Sequence, residues 1–305
     1  MSFRCADASV GRTETIAGTA STVRAFLLLE HVGPWGVDAL RDARLPDGLG
    51  QRLHAAAAAA RVRVLLVRRP DRSETDGTRV FAAHADPVRP WLEAGALGDV
   101  QEVLDLDLAG LGAGRTAGLA RQPGPIFCVC THGRHDVCCA TRGRPVAAAL
   151  EAAHPDATWE VSHIGGDRFA ANMVVLPHGL YYGRLDPVSA LTVAGAQRAG
   201  QLDLDHLRGR SGLAMPVQAA EVALRRQLAE TRDGALLFAS ATRTDDVTEA
   251  VFEVGGTSYA VRVRSRAGIP ERLTCRAERD HAPPVHEVLS IGLLRRSDDG
   301  GPQPS

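Results

Sequence analysis

Between Phe127 and Cys139 the sequence reads FCVCTHGRHDVCC. Cys128, Cys130, Cys138 and Cys139, four of the six cysteines, fall in one twelve-residue window, while Cys5 and Cys275 are remote in the chain. Thiolates are soft ligands suited to iron–sulfur clusters or zinc. Cys130 and Cys139 are separated by eight residues, the first leaving an expected strand and the second preceding an expected helix. A compact loop between them could bring both sulfurs to one ion or cluster. The period of two along a strand puts Cys128 on the same face as Cys130. Adjacent Cys138 and Cys139 cannot both point the same way, so two or three of the four are expected as ligands. The others are expected as small buried residues, a common role of free cysteine.

A second segment, VSHIGGDRFAAN from Val161 to Asn172, carries His163, Gly165, Gly166 and Asp167. Most lone histidines are structural. This one closes a strand, and in α/β units ligands bind beyond the carboxyl ends of strands. Cys130 closes another strand, so both would point to one rim. Gly165 and Gly166 permit a tight backbone able to face a cofactor, and Asp167 would project to the same side as His163. Arg134, Arg168 and Arg184 lie in or beside these motifs. They would offset the charge of a thiolate-ligated cluster or steer an acidic partner, or they are solvated surface arginines. Trp159 and at least one of Tyr181 and Tyr182 are read as core.

The elements that must position these residues are legible in outline. The chain has 305 residues, 45% of them hydrophobic and 23% charged, enough for sizeable cores and too apolar for wholesale disorder. Its 35 basic residues, all Arg, balance 36 acidic ones for a net charge of -1, which argues against a nucleic-acid surface. No apolar run approaches the length of a membrane-spanning helix, and the polar N-terminus has no signal-peptide core. A cytoplasmic, reducing compartment is expected, where clustered cysteines indicate metal or redox chemistry rather than disulfides.

Residues 1–22 read as a flexible lead. Residues 23–115 read as an α/β block, with strands at 25–30, 62–67, 79–83 and 100–106, a helix at 47–60 and a short helix at 86–95. A Gly- and Pro-rich boundary comes next at 111–125. The second block, 123–232, has strands at 125–130 and 158–163, a loop at 131–139 and a helix at 142–153 with Pro145 in its first turn. A hairpin spans 173–184, Asp186 and Pro187 open a helix to 199, and another covers 217–230. The order β-α-β-β-β-α is that of a thioredoxin-like unit. Residues 233–295 read as a small antiparallel β appendage, with strands at 247–254, 258–263, 272–276 and 288–294, and 296–305 as a disordered tail.

The motifs CTHGRHDVCC from Cys130 and SHIGGDRFAANMVVLPHGLYYGRL from Ser162 resemble those of the sucrase/ferredoxin-like family, as does GTASTVRAFLLLEHVGPWG from Gly18. The resemblance spans about residues 20–225. It implies a relative of thioredoxin-like 2Fe–2S ferredoxins, an electron carrier whose cluster is held by a C-x8-C and an H-x3-H pair. Carried over, these fall on Cys130, Cys139 and His163, but the second histidine position holds Asp167. A 2Fe–2S cluster needs four protein ligands, with His a known replacement for Cys that raises the potential. The fourth is therefore open between Asp167, Cys128, Cys138, His132 and His135, with loss of the cluster a further alternative.

Rival readings have weaker motifs. A thioredoxin-type thiol redox protein normally has C-x-x-C at a helix start, and a structural zinc site normally has a C-x2–4-C pair; neither is present. A sucrose hydrolase needs two facing carboxylates, and the motifs offer only Asp136 and Asp167. The run Gly110–Gly114 lacks the strand–turn–helix context of a dinucleotide site, so electron donor and acceptor are expected to be separate proteins, with no nucleic acid or membrane partner.

Overall fold

The structure, a computed structural model, describes residues 3–72 and 77–294. The segment expected to be a flexible lead carries helix α1 (Cys5–Gly11) and is docked on the body. Arg168 pairs with Glu14 at 2.7 Å, and Arg184 donates to the Glu14 carbonyl at 2.6 Å.

The first half runs β1 (Ala25–Glu30), α2 (Ala39–Asp42), α3 (Leu49–Ala59), β2 (Val62–Arg68), β3 (Thr78–His84), β4 (Trp91–Leu97), α4 (Leu108–Gly112) and β5 (Ala120–Arg121). The second runs β6 (Ile126–Cys130), α5 (Val137–Ala153), β7 (Thr158–Val161), β8 (Met173–Leu176), β9 (Leu180–Tyr182), α6 (Pro187–Arg198), β10 (Leu207–Arg210) and α7 (Met215–Leu228). All ten strands form one sheet of order β10-β9-β8-β6-β7-β2-β1-β3-β4-β5. The halves repeat one arrangement, β2-β1-β3-β4 and β7-β6-β8-β9. In each, the first two strands are parallel and the others antiparallel. They meet where β2 pairs antiparallel with β7, through Val67 opposite Val161 and Arg68 opposite Glu160. Arg68 and Glu160 form a buried ion pair of 2.7 Å on this seam.

Strand alternation sorts the core. Phe26, Leu28, Val67, Cys128, Cys130, Trp159 and Tyr181 share one cluster that runs across the seam. On the opposite face, Leu27 and Leu29 pack under α3, while Phe127 and Val129 pack with α5 and α6 residues in a separate cluster. Beyond the sheet, β11 (Leu236–Thr244), β12 (Val247–Val254), β13 (Thr257–Ala267) and β14 (Pro284–Leu293) form the small antiparallel sheet, which packs on α7.

Several local expectations change. The expected strand at 100–106 is instead a 3-10 turn over Val100–Asp105, capped by the Asp99 side chain. No helix forms at 86–95: residues 86–90 are irregular and residues 91–97 are β4, which pairs along its length with β3, a tertiary ladder overriding local pattern. Residues 272–276 belong to no strand, and β11 has no counterpart among the expected strands. Helix α5 begins at Val137 because the Asp136 side chain accepts the Cys138 N–H as an N-cap, which leaves Pro145 inside the helix rather than in its first turn. The tail at 296–305 lies outside the described residues. Among the described residues, no helix is long and apolar enough to cross a membrane.

Candidate metal centre

Cys130 closes β6, and Cys139 sits in the first turn of α5. Their approach depends on Gly143, where a Cβ would lie 2.1 Å from the Cys130 carbonyl oxygen. A side chain there would push the helix off the strand end. Both thiols are buried. The hydrogen bond between them lowers the Cys130 pKa, helped by nearby His163 and against burial; the same bond, with burial, raises that of Cys139.

Asp167, buried at the start of a 3-10 turn, joins this pair: the Cys139 thiol donates to its Oδ1 at 3.2 Å. The same oxygen lies 2.9 Å from His163 Nδ1. That approach is not aligned as a hydrogen bond, so Nδ1 is a buried ring nitrogen without an aligned partner. Burial opposes protonation of His163, yet the Asp167 carboxylate prevails and raises its pKa. Burial would likewise raise Asp167, but His163 holds its pKa below the usual range. Successive contacts thus link Cys130 to Cys139, Cys139 to Asp167 and Asp167 to His163.

The alternatives separate by where their atoms point. The His132 Nε2 lies 2.9 Å from the Gly36 carbonyl oxygen, and its Nδ1 accepts the His163 backbone N–H at 3.2 Å. Both ring nitrogens are engaged, and burial lowers its pKa to about 4. His132 is a neutral brace. His135 stacks on His163 with ring centroids 3.7 Å apart, and its Nε2 lies 3.7 Å from Asp167 Oδ2. His135, His163 and Asp167 present donor atoms all within 4.8 Å of one another. Cys128 lies in the apolar core, where burial raises its thiol pKa. Cys138 turns away from Cys139 toward a different group of residues.

The residues expected to line a cofactor have other occupations. Gly165 and Gly166 have φ of 95° and 79°. A Cβ would meet Ser21 Oγ at 2.6 Å on the first and the Arg208 guanidinium at 2.3 Å on the second. A side chain at either position would collide with these neighbours, so close packing requires glycine here. Arg168 is held by Glu14 and lies over the Phe169 ring, its guanidinium carbon 4.3 Å from the centroid. Arg134 is exposed, and its carbonyl accepts from Arg276. Sequence reading misses Arg208, a buried arginine that donates to the Gly165 carbonyl at 2.9 Å and Asn172 Oδ1 at 2.8 Å. It fixes the turn carrying Asp167. It stands about forty residues from that motif, so no local spacing marks it.

The first half supplies the cover. Trp35 meets His132 edge-on at 5.7 Å, the Val37 carbonyl oxygen lies 3.3 Å from His135 Nδ1, and Arg63 donates to the His163 carbonyl at 2.9 Å. No curated protein and no solved structure matches the chain. The sequence model of one family, described as sucrase/ferredoxin-like, does match, over residues 16–209. That span takes in β1 through most of β10, the segments that carry Cys130, Cys139, His163 and Asp167, and the covering loop, and the chain belongs to the sucrase/ferredoxin-like family.

Proposed function

We propose that the protein is an electron carrier whose second half, a thioredoxin-like unit, holds a 2Fe–2S cluster through Cys130, Cys139, His163 and Asp167. The observation that carries this reading is the donor set itself: two buried thiols, a buried ring nitrogen without an aligned partner and a carboxylate, contributed by two adjacent strand ends and a helix start. Two thiolates with imidazole nitrogen fit what such clusters accept, and the carboxylate is the unusual member. The β-α-β-β-β-α order and the arrangement β7-β6-β8-β9 support the thioredoxin-like assignment.

When bound, the cluster supplies a one-electron redox couple. The protein's own residues exclude water from the sulfur side and leave the imidazoles of His163 and His135 partly exposed at the rim. His54, Arg63, Val37 and Asp38 surround that rim in a shallow depression, the natural approach for separate reductase and acceptor proteins in a cytoplasmic setting. A second reading, favoured by the 3.7 Å stack of His135 on His163, makes His135 the fourth ligand and Asp167 the carboxylate that orients both rings.

Protein purified without oxygen should be red-brown, contain about two irons and two sulfides per chain and give an EPR signal on reduction. A colourless chain with stoichiometric zinc bound through Cys130, or one with disulfide reductase activity and no iron, would overturn the proposal.

A further inference from the structure

The two cysteines remote in sequence are not remote in space. Cys5 opens α1, Cys138 lies in the first turn of α5, and Cys275 sits in the loop between β13 and β14. Their sulfurs and the Asp136 carboxylate lie within 4.8 Å of one another. Cys138 Sγ is 3.3 Å from Cys275 Sγ, which is 3.5 Å from Cys5 Sγ, and Cys5 Sγ is 3.6 Å from Asp136 Oδ2.

We propose that Cys5, Cys138, Cys275 and Asp136 form a second, structural metal site for a single zinc ion, built against the opposite side of the α5 N-terminus from Cys130 and Cys139. Zinc bonds of about 2.3 Å to sulfur and 2.0 Å to oxygen in a tetrahedron place sulfurs about 3.8 Å apart and sulfur from oxygen about 3.5 Å. The observed separations need shifts of only a few tenths of an ångström to reach that shape. They are far longer than the roughly 2.05 Å of a disulfide. All four donors fit around one ion, unlike a two-iron cluster, whose ligands divide between two metals.

The surroundings fit a closed structural site. Asp136 is fully buried and accepts the backbone N–H groups of Cys138 at 2.8 Å and Cys275 at 2.6 Å. Among the described residues no arginine forms an ion pair with it. A buried carboxylate beside three thiols is costly without a counter-charge, and a divalent cation supplies one. The Cys5 N–H also points at Cys275 Sγ at 3.4 Å. Ala6, Ala170 and Phe3 close the site with apolar surface. Arg12 pairs with Glu271 and Arg142 with Asp7, so the three contributing segments are already tied together. An ion here would join residues 270 positions apart and anchor the loop of the small sheet to the large one.

The test is metal analysis of the full chain purified with thiol reductant, with X-ray absorption at the zinc edge. One zinc per chain is expected, with three sulfur neighbours and one oxygen, alongside whatever iron the first site holds. Cys5→Ser and Cys275→Ser should each remove the zinc and leave the visible spectrum unchanged. Zinc that survives both changes but is lost in Cys130→Ser would assign the ion to the first site and overturn the proposal. So would a Cys138–Cys275 disulfide in freshly isolated protein, or reduced wild-type chain that takes up no zinc. The absorption measurement on wild-type protein decides the matter even if the serine variants fold poorly, since two sulfurs with two nitrogens would exclude this ligand set. Absence of iron with zinc retained would sink the electron-carrier reading alone.

Discussion

The two halves of the large sheet have the same strand order and the same parallel first pair, yet one carries a donor set and the other does not. The difference lies in the loop that leaves the first strand of each half. After β6 come Cys130, His132, His135 and Cys139, ending in a helix held close by Gly143. After β1 the chain runs through His31 to Trp35, Gly36 and Val37, a loop that brings no thiol and braces the histidines of the other half. One arrangement of strands thus yields a half with clustered donor side chains and a covering half, and the difference is set by the loop rather than by the sheet.

The sharpest way to break this contrast is at the sulfurs. Cys130→Ala or Cys139→Ala should abolish iron binding and visible absorption entirely, while His31→Ala in the covering half should leave both intact; iron content and spectrum decide. Next is the seam. Arg68→Ala strands Glu160 as an unpaired buried carboxylate and should cost about 3–5 kcal/mol in chemical denaturation, with the double change Arg68→Met, Glu160→Leu recovering most of it. If the halves were independent, Arg68→Ala would barely move the unfolding midpoint.

A third contrast is ionic. Among the described residues, the second half is extended by a buried network in which Arg210 on β10 pairs with Asp233 at 2.6 Å and with Glu221 at 3.4 Å, and Arg225 pairs with Glu221 at 3.0 Å. Burial opposes the charge on Asp233, but His178 and Arg210 hold its pKa well below the usual carboxylate range. A depressed folded pKa contributes stability that is present above the unfolded value of about 3.9 and is lost as pH falls toward the folded one. Unfolding free energy should therefore decline below about pH 4, and Asp233→Asn should flatten that decline while lowering stability at neutral pH. An unchanged acid limb would show that the network contributes nothing. The smallest effects concern the fourth ligand. Asp167→Ala should weaken or bleach the visible bands if Asp167 is a ligand, and His135→Ala should change them only slightly; the reverse pattern, read by absorption and EPR, would assign the site to His135.

Much of the candidate site is legible in the sequence because its signals are local. The eight-residue gap between Cys130 and Cys139, the strand-end position of His163 and the capping pair Asp186–Pro187 each reflect contacts within a single loop or turn, and the structure has the capping box at Asp186. Other features have no such signal. Asp136 reads in the sequence only as one acid among the motifs, although as N-cap it moves the start of α5 and carries Cys138 and Cys139 into the helix. The small polar composition of the first residues suggests mobility, yet Cys5 is buried because partners more than a hundred positions away enclose it.

Residue types and spacing alone establish the chemistry on offer: soft sulfur donors, one strand-end imidazole, a carboxylate in place of a second histidine and a family membership carried by three motifs. Strand periodicity establishes that Cys128 and Cys130 share a face. Which donors meet is a matter of tertiary structure. It turns Cys138 away from Cys139, engages both nitrogens of His132, places His135 against His163 and gathers Cys5, Cys138 and Cys275. The physical reason is that side-chain direction at a helix start, and the meeting of segments far apart in the chain, are fixed by packing and sheet pairing. Residue spacing encodes neither.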